Sequence, residues 1–126
     1  MKKILKTSPQ GQTLAEFAII LPVLLMFVFM IVDLSRAAYY YSVVFNAARE
    51  GARYAVAHPG AGSGSIIDAA ERLASGLDPT VIISTTDDRV EVEVQYTFQP
   101  ATPILWNLVG DGEIELRSKA TMQIEN

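Results

Sequence analysis

The sequence predicts an α+β fold: a long N-terminal helix, a short second helix and a small antiparallel sheet of about three strands. Three observations carry this. Phe17–Val32 is an uncharged apolar run, followed by small and apolar residues at three- and four-residue spacings as far as Ala55. Val90, Val92, Val94, Tyr96 and Phe98 alternate with Glu91, Glu93, Gln95 and Thr97, the two-residue period of a half-buried strand. Ile114, Leu116, Ala120, Met122 and Ile124 repeat that alternation further on. A helical stick with a small α+β head, a lollipop, accommodates all three.

The chain has 126 residues, half of them apolar and 19% charged, with a net charge of −4. That length suits one head domain. There is no cysteine, so disulfides, thiolate zinc sites and cysteine nucleophiles are excluded. The single histidine, His58, excludes a multi-histidine metal centre. Net acidity argues against nucleic acid as a partner. The charge is unevenly placed. Residues 1–11 hold Lys2, Lys3 and Lys6 and no acid, for +3, whereas residues 12–126 hold 7 basic and 14 acidic residues, for −7.

The first segment, residues 1–11, is thus a basic leader. The second, 12–34, is long enough for a membrane span. Its uncharged core has 16 residues, and Leu14, Ala15 and Leu34 extend it to a mainly apolar 21, against the ~20 that a span needs. A signal peptide has a shorter core and a small-residue cleavage site, and Asp33 and Arg36 occupy the place where that site belongs. Basic residues favour the cytoplasmic side, so the N-terminus is expected inside and the body outside. Glu16 is a carboxylate at the start of the run, a functional candidate by cost. Its bland reading is a headgroup-level acid near the positive end of the helix dipole. Asp33 reads as the marker of the far interface. Pro22 removes one helical donor and is expected to kink or loosen the helix.

The third segment, 35–126, is the head, including a helix continuation over 35–57. The helix is expected from about Thr13 to Ala57, with Tyr39, Tyr40 and Tyr41 shared between a membrane-interface belt and the head. Ala47, Gly51 and Ala55 form a small-residue line that permits close backbone approach, here to the protein's own sheet. Glu50 and Arg53 form an i,i+3 pair. Arg49 and Arg53 stand on one face, available to the head's acids or a partner. His58-Pro59 ends the helix. Gly60–Ser65 is a loop without the Lys-Ser/Thr of a phosphate-binding motif. Ser65 with Asp68 has capping-box character for a helix over 66–75, closed by Gly76. Val81–Ser84 is a short strand, Asp87–Arg89 a turn, and Ile104–Val109 a turn or two of helix. Glu91 and Glu93 lie on the wet face of a strand rather than in an acid–base pocket. The Asp87-Asp88 and Asp111–Glu113 turns offer oxygen ligands of the calcium type without a twelve-residue loop. Trp106 suits a contact surface or a core equally well. No cofactor, metal or catalytic set is expected.

The order of basic leader, Gly11, four residues, Glu16-Phe17 and apolar helix resembles a type IV prepilin-like N-terminus of the Tad class. With Asn46–Tyr54, which reads NAAREGARY, it resembles the TadE-like pilus-assembly family, most strongly over residues 11–55. The resemblance implies several things. A prepilin peptidase cuts between Gly11 and Gln12. Glu16, with Phe17 beside it, becomes the fifth residue of the mature chain and pairs with a neighbouring subunit's N-terminus. The protein is a minor pilin or pseudopilin in the bacterial inner membrane, or is incorporated into a surface pilus. Its partners are other Tad pilins, the inner-membrane assembly platform and lipid, in service of adhesion, biofilm formation and secretion. A signal-anchored extracytoplasmic binding domain unrelated to pili is the alternative, and a secreted hydrolase a further one.

Overall fold

The described residues begin in a single long helix, α1 (Pro9–Ala57). The computed structural model describes residues 9–110 and 112–124; Lys2, Lys3, Lys6 and Asp111 lie outside them. The 49 residues of α1 make a rod of about 74 Å at 1.5 Å per residue. The helix runs on through Pro22, which leaves the carbonyl of Ala18 without its i+4 partner.

The two halves of α1 have different environments. From Leu14 (70% exposed) to Leu34 (71% exposed) the apolar side chains are exposed around the helix, with Met26 and Met30 half-buried on the side of Asp33, the pattern of a helix made for an apolar solvent. The same helix is the one element long and apolar enough to cross a membrane among the described residues, with a mean hydropathy of 2.8 over its best window. From Val44 onward one face is buried: Val44, Ala47, Ala48, Gly51, Ala52 and Ala55.

That face is covered by the rest of the head. The second helix, α2 (Ser63–Leu73), contributes Ile66, Ala69 and Ala70. The strands β1 (Thr80–Thr86), β2 (Arg89–Phe98) and β3 (Ile114–Gln123) form an antiparallel sheet in the order β1-β2-β3. A third short helix, α3 (Pro103–Val109), lies in the connection between β2 and β3. The sheet packs one face on α1 and α2, and its centre is Val90, Val92 and Val94 of β2, all buried. Each such valine contributes about 1.5–3 kcal/mol by leaving water. A sheet this small needs that helical layer.

The alanine-rich face of α1 explains the closeness of the layers. At Gly51 an added Cβ would lie 3.0 Å from Val92 Cγ1 and 3.2 Å from Ala70 Cβ. Any side chain at this position would press on Val92 and Ala70, so glycine lets the layers close. Gly60 and Gly76 are required by conformation, at φ of 88° and 89°. The β1–β2 hairpin pairs Thr86 with Arg89 around Asp87-Asp88.

Two local expectations need correction. The Ser65–Asp68 capping box does not form: α2 starts two residues ahead of Ser65, with Gly62 as N-cap and no side-chain cap. Ser65 instead donates its backbone N–H to the Gly62 carbonyl. The first helix is also already formed at Pro9, ahead of the expected Thr13.

Candidate functional site

The N-terminal end of α1 holds the first group of candidate residues. Gly11 and Gln12 lie within α1, near the start of the described residues. Gln12 Nε2 donates to Glu16 Oε1 at 3.2 Å, one helical turn away. Glu16 and Phe17 are exposed on the rod, far from the head. The Glu16 carboxylate thus has an amide partner from its own helix on an otherwise exposed side chain.

The far end of the apolar stretch is where the structure departs most from expectation. Asp33 is not an acid facing the headgroups. It is 1% exposed and sits under the head. Its Oδ1 accepts the backbone N–H of Ala101 at 2.9 Å, and its Oδ2 accepts the backbone N–H and hydroxyl of Thr102 at 2.8 and 2.5 Å. Arg36 Nη1 donates to Oδ1 at 3.4 Å from the next turn. A buried carboxylate is stable only when so satisfied. Thr102 is also the N-cap of α3, and its side chain makes no cap bond there; its hydroxyl bonds Asp33 instead. The head's contacts therefore reach back to residue 33, two residues below the expected 34/35 boundary.

The packing around this clasp is aromatic. The Arg36 guanidinium lies 5.2 Å from the Phe98 ring centroid and 5.9 Å from that of Tyr40. Tyr40 packs on Tyr96 and Phe98, with centroids 5.2 and 5.6 Å apart, while Tyr39 and Tyr41 remain exposed. The three tyrosines divide, one to the head and two to the surface. Trp106 Nε1–H donates to the Pro100 carbonyl at 2.6 Å, and its ring stays half-exposed beside a shallow depression lined with Gln99, Asn107, Gly112 and Glu113.

The remaining candidates are engaged within the chain. Ala47, Gly51 and Ala55 are buried against the head. Arg53 grips Glu50 through two bonds of 2.7 and 2.8 Å, and the bond holds the Glu50 carboxyl below its usual range. The Arg49 guanidinium stacks over Phe45 at 5.5 Å. His58 stacks on Tyr54 with centroids 4.2 Å apart, and its Nδ1 lies 3.1 Å from the Tyr54 carbonyl. On the outer face of the sheet, Glu91 meets Lys119 at 2.9 Å and Glu93 meets Arg117 at 3.4 Å. The bond to Glu91 raises the Lys119 amine above its ordinary pKa. Among the described residues no three acidic or histidine side chains converge on a metal-sized site.

Sequence reading missed Asp33 as a structural centre. Its partners lie 68 and 69 residues along the chain. The one local hint is Thr102-Pro103, an N-cap with proline at the first helical position.

The model of the TadE-like protein family matches residues 11–53. The match opens at Gly11 and takes in Glu16, the apolar stretch, Asp33 and the buried face as far as Arg53. No curated protein and no solved structure matches the chain.

Proposed function

From the premise that residues 11–53 form a TadE-like segment, we propose that this protein is a prepilin-like minor pilin or pseudopilin of a Tad-type pilus. It is anchored in the bacterial inner membrane by the lower half of α1, with its N-terminus in the cytoplasm and its head outside. Its role is structural support of pilus biogenesis, and through the pilus of adhesion and biofilm formation. The observation that carries this reading is the bare apolar half of α1, which begins just after a glycine and a glutamate at prepilin spacing.

The mechanism follows from the two ends of that half. A prepilin peptidase opens the bond between Gly11 and Gln12. Both lie within α1, and glycine there lets the backbone enter a narrow cleft and weakens the helix locally. Cleavage leaves a chain of 115 residues with one lysine, Lys119. It removes the +3 leader and creates an α-ammonium at Gln12. Glu16 then sits one turn from its own new N-terminus and within the apolar layer, where an unpaired carboxylate is costly. A neighbouring subunit's ammonium relieves that cost and sets the axial register between helices. The assembly platform and the other Tad pilins are the partners this requires.

N-terminal sequencing of the protein extracted from membranes tests the reading. A start at Gln12 is expected. An intact Met1 would leave a simple anchored domain, and a start near Ala38 would mean that the apolar segment is discarded; either outcome rejects the proposal.

A further inference from the structure

We propose that Gln12 is a modification site. Once it is the first residue of the chain, its α-amine closes on its own side-chain amide to give a pyroglutamyl cap, and Glu16 restrains that closure. This rests on cleavage between Gly11 and Gln12, as read above.

The reaction needs no co-reactant. The unprotonated α-nitrogen attacks Cδ of its own residue. The N–Cδ bond forms and the Cδ–Nε2 bond breaks. Nε2 leaves as ammonia, taking up the proton that the α-nitrogen gives up, and nothing is oxidised or reduced. Nucleophile and carbonyl belong to one side chain, so the step is intramolecular and closes a small unstrained ring. At neutral pH part of any α-amine is unprotonated.

Before cleavage the nitrogen of Gln12 is a peptide nitrogen inside α1, and its lone pair is delocalised. Cleavage removes Pro9–Gly11, and with them the Pro9 carbonyl that the Thr13 hydroxyl bonds at 3.1 Å. The Gln12 side chain is exposed and free to turn toward the new amine. One contact holds it: Nε2 donates to Glu16 Oε1 at 3.2 Å. That bond ties the carboxamide to a residue one turn ahead, about 6 Å along the helix axis. It must break before Nε2 can leave with a proton. The same carboxylate favours the protonated amine, which is no nucleophile. Glu16 is thus a positioning residue that slows closure without touching the bond that forms.

The consequence is a change of charge. The open terminus carries the ammonium that a neighbour's Glu16 needs, whereas the cap is neutral. A subunit that waits unassembled loses that group while its span and head stay as they are. Cyclisation therefore puts a lifetime on the assembly-competent form.

Intact-mass spectrometry of the processed chain, extracted from membranes and held in detergent at neutral pH, follows the reaction in time. We expect a chain starting at Gln12 that loses one ammonia with first-order kinetics. Fragmentation should place the loss at residue 12, and pyroglutamyl aminopeptidase should convert the product to a chain starting at Thr13. The cyclised fraction is closed to N-terminal sequencing, which reads the open fraction alone. Glu16→Ala should cyclise several-fold faster than wild type. Glu16→Gln, which keeps an acceptor without the charge, should fall between. Where a variant is left uncut, a site-specific protease sequence in place of the leader exposes the same Gln12. A chain that starts at Gln12 and keeps its mass overturns the cap and leaves the cleavage reading intact. A chain that keeps Met1 overturns the cleavage reading and the cap with it. Cyclisation of Glu16→Ala at the wild-type rate overturns the restraint.

Discussion

Asp33 does more for this head than any other polar residue described. It satisfies two consecutive backbone N–H groups and a hydroxyl, and a charged acceptor makes each bond stronger than a neutral one. Removing it leaves buried donors without partners, at about 1–3 kcal/mol each. Asp33→Ala should therefore destabilise the head by about 3 kcal/mol, read as a lower denaturant midpoint of the full chain in micelles. Asp33→Asn, which keeps one acceptor oxygen, should lose less. Equal midpoints for wild type and alanine variant would remove the clasp from the account. This residue was illegible in the sequence for a physical reason. An acid that ends an apolar run has a sufficient local explanation at the membrane surface, and nothing near position 33 announces donors at positions 101 and 102. Tyr40 and Phe98 were legible as apolar. Their pairing with Arg36 depends on the angle between layers, which no local period encodes.

At the scale of elements, the strands were legible because their side-chain period is two and one face must be dry. Val90, Val92 and Val94 are buried in phase. The third strand buries Ser118 in the same phase, a polar residue that the apolar pattern skips. Helix ends were less legible. The start of α2 is set by the backbone of Gly62 rather than by a side-chain cap, so the capping-box pattern pointed three residues too far along. Gly51 ties helix to sheet. Its missing Cβ is the space that Val92 and Ala70 fill, and a large side chain there overpacks a core made of small residues. Gly51→Leu should cost about 3 kcal/mol of head stability. Helical circular dichroism should survive, because the lower half of α1 does not touch this contact. A variant as stable as wild type would mean that the layers part more easily than close packing allows.

For the whole molecule, one rod serves two solvents. The lower half of α1 is bare and the upper half is the floor of the head, so forces on the anchor reach the head without a hinge loop. The charge map read from the sequence agrees with this division, with the acidic body beyond the apolar run. Glu16 belongs to this scale because no contact links it to the head. Glu16→Ala should leave the head's midpoint unchanged and abolish or strongly reduce piliation in cells lacking the wild-type copy, scored by electron microscopy. Normal piliation would refute its assembly role.

The Asp33 clasp also has a consequence in time. Its partners emerge 68 and 69 residues after it. At synthesis rates of ~5–20 residues per second the delay is roughly 3–14 s. The apolar segment is therefore complete while Asp33 still lacks its partners. The base of the head closes only once residues 101 and 102 have emerged, so a truncation before Thr102 yields a helix whose lowest joint was never made.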